Sequence, residues 1–230
     1  MAMRDPAEIF ELVSPSVAHL DILTPVKKGF DARLWWLSIT NPGKGGLVYH
    51  SECTGFLWNN PSNDDDNAHY LITAAHCVLD AATGQTASIV KVKFPAVEKY
   101  LEAVVVGADS TTDIAVLKTA DPAGILGPHP DDAFPRPLSL QEDSTSNASN
   151  ASKLQPGHSC ILIGAPRQNR NILWMGTISA VGATGSADSG NRYGMIESDS
   201  TYGAFVSCCV GHTTFASRIP SYIICCAFSQ

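Results

Sequence analysis

His76 sits in the run Leu71-Ile72-Thr73-Ala74-Ala75-His76-Cys77, and further along Asp113 opens the run Asp113-Ile114-Ala115-Val116-Leu117-Lys118. A hydroxyl is a poor nucleophile near neutral pH. Its attack on a peptide carbonyl needs a neutral imidazole to take the proton and a buried carboxylate to fix the imidazole's tautomer. His76 and Asp113 have the side chains for base and orienter, and chain returning through a hairpin or two can bring both to one rim of a sheet. A nucleophile framed as Gly-x-Ser-Gly-Gly, the turn that would also form an oxyanion hole, occurs nowhere in the chain.

Short strands must do the positioning. Gly (18) and Pro (14) are frequent and charged residues are only 16% of the total, which suits strands joined by tight turns and predicts an all-β fold. Ala7 to Leu12 reads as a short helix, broken by Ser14-Pro15-Ser16 before Val17 to Leu23 alternates as a strand. Further strands are expected at Trp35 to Ile39, Cys53 to Trp58, Ser88 to Phe94, Ala103 to Val106 and Ile114 to Leu117. Asn59 to Asn67, with Asp64, Asp65 and Asp66 in a row, reads as a solvated loop, since a calcium loop's spaced ligands and turning glycine are absent. Pro122 to Lys153 is rich in Pro, Asp, Ser and Asn, as a linker between two halves would be. Strands resume at Cys160 to Gly164, Ile172 to Val181 and Tyr193 to Ile196, with Gly182 to Asn191 as the loosest turn, and Ser221 to Phe228 could form one more.

The formal charge of -7 argues against nucleic acid as a partner, because phosphate neutralisation needs a surplus of Lys and Arg on one face. No apolar run has the length of a membrane span, and Asp5 and Glu8 interrupt the start where a signal peptide needs an apolar core. Six of the seven histidines (His19, His50, His69, His129, His158, His212) read as satisfied core or surface residues, and nothing implies a cofactor. Cys208, Cys209, Cys225 and Cys226 lack zinc-ligand spacing, and adjacent cysteines on a strand diverge, so no metal is assigned to them.

The chain resembles the trypsin-like serine proteases, and among them the HtrA/Deg group, over about residues 7–199. Ser14-Pro15-Ser16-Val17, Thr54-Gly55-Phe56-Leu57-Trp58, the His76 and Asp113 segments, Leu154 to Pro166, Gly176-Thr177-Ile178-Ser179 and Ile196-Glu197-Ser198-Asp199 carry the likeness. It implies a double β-barrel, with a first barrel at about 7–120, a linker at about 121–153 and a partial second barrel at 154–199. The tail, 200–230, diverges and has no assigned structure, so the second barrel is expected to be incomplete. A serine endopeptidase acting on polypeptide substrates is implied, with His76 as base and Asp113 as orienter. The alternative is a silent relative that binds peptides or partners; a homo-oligomer is left open.

The nucleophile's place in the resemblance falls on Ser207, but Phe205-Val206-Ser207-Cys208-Cys209 stands where the family has glycines. Backbone N–H groups aimed at a developing oxyanion require a tight turn that tolerates glycine far better than bulky residues. Cys208 is a rival nucleophile with the same defect. Cys53 stands where secreted members carry a partner cysteine, so a Cys53–Cys77 bridge is expected, contributing about 3 kcal/mol on a chain-entropy estimate. An intracellular compartment would keep both thiols reduced instead.

Overall fold

The computed structural model describes residues 5–25, 47–58, 68–79, 84–87, 89–120, 126, 135, 137–138, 156–157, 159–167, 170–187, 190–198, 207–211 and 222–227. For 24–25, 47–51, 120, 166–167, 170 and from 181 onward, the description is of backbone alone. The expected strand at Trp35 to Ile39, the acidic loop at Asn59 to Asn67 and nearly all of the expected linker lie outside the described residues.

Helix α1 (Pro6–Val13) opens the chain as its residues dictate. The Asp5 carboxylate caps it by accepting from the Ala7 N–H at 3.0 Å, and Pro6 occupies a first-turn position where its missing N–H costs nothing. Ile9 and Val13 turn inward, while Ser14–Ser16 forms a single 3-10 turn that delivers the chain into β1 (Val17–Pro25).

Five further strands complete a closed barrel: β2 (Leu47–Trp58), β3 (Ala68–Ala74), β4 (Ile89–Lys93), β5 (Leu101–Asp109) and β6 (Ile114–Ala120), in the order β1-β2-β3-β6-β5-β4. Period-two alternation built it. In β4, Val90 and Val92 are buried and Ile89, Lys91 and Lys93 are half-exposed; in β1, Leu20 and Ile22 face the interior, where Leu57, Leu71, Phe94 and Leu117 also lie. Closure removes the open edges that such apolar strands would otherwise present.

The second half is a five-stranded sheet, ordered β10-β11-β7-β8-β9, with β7 (Ser159–Arg167), β8 (Arg170–Ala187), β9 (Gly190–Ser198), β10 (Ser207–Gly211) and β11 (Tyr222–Ala227). Among the described residues this sheet does not close into a barrel. Two findings differ from the sequence reading. Gly182 to Asn191 is mostly strand, because register shifts between Ile178 and Gly185, one of them at Gly182, let β8 and β9 pair as far as Ala187 and Gly190. The tail, given no structure beyond one strand, supplies both β10 and β11. β11 joins β7 in parallel, whereas the other ladders are antiparallel. The register sets Cys208 opposite Cys226 and Cys209 opposite Cys225.

Apolar and polar contacts join the halves. Ile9, Val13, Val17, Phe56 and Ile72 from the first half pack with Leu138, Ile161 and Ile163. Ala165 on β7 is held at both ends of its backbone: its N–H donates to Thr54 Oγ1 at 2.9 Å, and its carbonyl lies 2.9 Å from His19 Nδ1. Among the described residues, no helix is long and apolar enough to cross a membrane.

The expected Cys53–Cys77 bridge is not made. Cys53, Cys77 and Cys160 are buried thiols, and Cys53 Sγ lies 3.6 Å from Thr73 Oγ1 on the neighbouring strand. Cys53 and Cys77 both line the barrel interior, where a thiol fills space as a small apolar side chain without needing a covalent partner.

Candidate active site

β3 and β6 pair over their whole length, with Ala74 opposite Ile114 at the barrel rim. The residues just beyond that last pair are therefore neighbours. Past Ala74 the chain enters one helical turn, Ala75–Val78, which presents His76; just before Ile114 stands Asp113. Register thus explains how two residues distant in sequence meet.

The meeting is tight. Asp113 Oδ2 lies 2.8 Å from His76 Nδ1, and Oδ1 lies 3.0 Å from the same nitrogen while accepting the His76 backbone N–H at 2.9 Å. The Asp113 carbonyl also accepts from Ala75 N–H at 3.1 Å. Asp113 is buried, with 2% exposure, and the His76 side chain is 18% exposed. A carboxylate can only accept, so Nδ1 carries the ring proton and Nε2 keeps the lone pair needed by a general base.

Asp113 has a φ of 58°, a left-handed conformation that non-glycine residues seldom adopt. Its bonds to Ala75 and His76 offset that strain, which is of the kind often found at reactive centres. The preceding turn is fixed by Asp109, whose carboxylate accepts from Thr111 N–H and Thr112 Oγ1, each at 2.8 Å. The Thr111 N–H, followed by the Thr112 hydroxyl, holds the Asp109 carboxyl below its ordinary value of 3.8.

Ser207 is the first residue of β10 and stands opposite Ala227 in the ladder. Its side chain, like that of Cys208, lies outside the described residues. The backbone of β10 runs near β3, the strand that delivers His76.

A family model described as "Trypsin-like peptidase domain" matches residues 53–207. The chain belongs to the trypsin-like peptidase family. No curated protein is significantly similar to it in sequence. Among solved structures, this trypsin-like peptidase domain is similar to the crystal structure of Deg5, with a TM-score of 0.53 and 21% identity over 86% of this chain and 73% of that one. The likeness is one of fold.

His19 is a satisfied core histidine, as expected, but its partners set it apart. It is 4% exposed, with acceptors at both ring nitrogens: the Ala165 carbonyl at Nδ1 and Asp21 Oδ1, 3.1 Å away, at Nε2. Burial pulls the imidazole pKa down, but the bonds to Asp21 and Ala165 and the charges of Asp21 and Glu52 outweigh it and leave the group above 6.5. The His-x-Asp spacing on an alternating strand was the available signal, since residues two apart share a face.

Proposed function

We propose that this trypsin-like domain is a serine endopeptidase in which His76 is the general base, Asp113 its orienter and Ser207 the nucleophile. The observation that carries the reading is the paired contact of His76 Nδ1 with both Asp113 oxygens. In the reaction, Nε2 takes the Ser207 hydroxyl proton as Oγ bonds to the scissile carbonyl carbon. The imidazolium then returns that proton to the departing amine as the peptide C–N bond breaks. Water hydrolyses the resulting ester by the same route. Asp113 stays ionised throughout and stabilises the imidazolium.

Turnover is expected to be low. Phe205, Cys208 and Cys209 stand in place of the motif's glycines, and loss of one oxyanion donor costs on the order of 10² to 10³ in rate.

Ser207's position in a ladder supports a second reading, a silent homologue that binds peptides. An oxyanion hole needs the Ser207 N–H and that of the residue two before it aimed at one point by a tight turn, and Phe205, Cys208 and Cys209 stand where that turn has glycines in the family. A labelled fluorophosphonate separates the two. Modification of Ser207 that disappears in His76→Ala supports the endopeptidase; folded protein that takes no label at Ser207 supports the silent form.

A further inference from the structure

His19, Asp21 and Glu52 share the outer face of the first barrel. His19 and Asp21 are two residues apart on β1, and Asp21 stands directly opposite Glu52 on β2. Their ligand atoms, one imidazole nitrogen and two carboxylate oxygens, all lie within 4.8 Å of one another.

His19 is what separates this cluster from a chance gathering of surface acids. Its ring is buried and pinned, because Nδ1 faces a carbonyl that can only accept and must therefore carry a proton. Nε2 then faces Asp21 Oδ1 at 3.1 Å and Glu52 Oε2 at 3.9 Å. Nε2 therefore meets these oxygens through a proton, on the ring or on a carboxyl, or through a cation. Even with an imidazolium the two carboxylates leave the cluster net negative. The lysines that β4 places beside it are directed elsewhere: Lys91, opposite Asp21, and Lys93, opposite His19, lie 5.9 Å and 5.6 Å from the Tyr100 ring centre. Lys93 also donates to the carbonyls of Val97 and Glu98.

We propose that His19 Nε2, Asp21 and Glu52 form a binding site for a divalent transition-metal ion of the zinc class. Two ligand atoms on one such ion, each at about 2.1 Å, can be no more than about 4.2 Å apart. Both Nε2 distances meet that limit, and the two carboxylate oxygens, within 4.8 Å of each other, would draw together on the ion. One imidazole with two carboxylates suits zinc, cobalt or manganese, whereas calcium and magnesium prefer oxygen alone. The Ala165 carbonyl behind Nδ1 is the outer partner that fixes tautomer and ring orientation in histidine–metal sites. The Asp21 and Glu52 side chains are 19% and 39% exposed, which gives an ion a route in and leaves positions for water. Because Ala165 belongs to the second sheet, an ion on Nε2 strengthens the tie between the halves.

Isothermal titration of the full chain, stripped with a chelator and dialysed, with Zn²⁺ alone tests the site. The expected result is one ion bound in a step that Asp21→Asn and Glu52→Gln each weaken at least tenfold. Zn²⁺ should raise the thermal midpoint of the wild type more than that of the double variant. Circular dichroism confirms that these isosteric variants remain folded. Co²⁺ in place of Zn²⁺ should show no thiolate-to-metal charge-transfer absorption, which separates this site from the cysteines of β10 and β11. Absence of binding to the wild type, equal affinity in both variants, or a thiolate spectrum for the bound ion would each overturn the proposal.

Discussion

Asp113 Oδ1 holds His76 through two different groups, the ring nitrogen at 3.0 Å and the backbone N–H at 2.9 Å. One carboxylate therefore sets both the rotation of the imidazole and the path of the helical turn that carries it. Its chemical and structural roles cannot be removed separately.

Asp113→Asn is expected to lower the rate of Ser207 modification by a fluorophosphonate on the order of 10⁴-fold, since an amide cannot accept on both sides and disfavours the required tautomer. Nitrogen-15 spectra of His76 give an independent readout. An unchanged Nδ1–H tautomer in the variant would remove Asp113 from the orienting role.

Thr54→Val leaves the Ala165 N–H buried without its acceptor. The expected loss is about 1 to 3 kcal/mol in urea unfolding. Hydrogen exchange localises it: the Ala165 amide should lose protection in the variant, and protection equal to wild type would show that this bond does not join the halves.

Gly55 has no room for a side chain. A Cβ there would stand 2.8 Å from Leu20 Cδ1 and 3.2 Å from the Ile72 carbonyl oxygen. Leu20 is fully buried and the carbonyl is backbone, so Gly55→Val should destabilise by about 1 to 3 kcal/mol, read from the denaturation midpoint. A midpoint equal to wild type would mean that β1 can shift outward at no cost.

Asp109 supplies a pH-dependent element. Because its folded value is depressed, the stabilisation it contributes is present above the ordinary value of 3.8 and is lost as pH falls through the folded value. An NMR titration of the Asp109 carboxyl should show a midpoint below 3.8, moving upward in Thr112→Val. A midpoint that ignores the substitution would exclude the Thr112 hydroxyl as a cause.

Local pattern carried most of the first barrel. Val90 and Val92 alternate with Lys91 and Lys93, and the apolar run from Leu71 ends at His76, so strand, face and rim position could be read from neighbouring residues. Long-range partners could not. His19 owes one of its two partners to Ala165, far along the chain, and no local pattern specifies that β7 will pack there. The cysteine pair misled for a related reason: family position suggested a bond, but Cys53 extends instead toward Thr73 in a core that both thiols help to fill. In β8, Gly182 and Gly185 resembled a loop because glycine serves bulges and turns alike. At Ser207 the resemblance located a residue, whereas Phe205, Cys208 and Cys209, standing where the family has glycines, obscured its role.

All six strands of the closed barrel come from one uninterrupted stretch, Val17 to Ala120, whereas the other sheet needs β11, near the end of the chain, beside β7. Contacts close in sequence form sooner than distant ones, and domains tend to assemble as they leave the ribosome. The expected order of events during synthesis is therefore asymmetric. His76 and Asp113 can be assembled on a half-made polypeptide, while the ladder holding Ser207 waits for the last strand. On the proposed reading, such a chain would acquire its base before its nucleophile, so that a half-made copy could not yet cleave its neighbours.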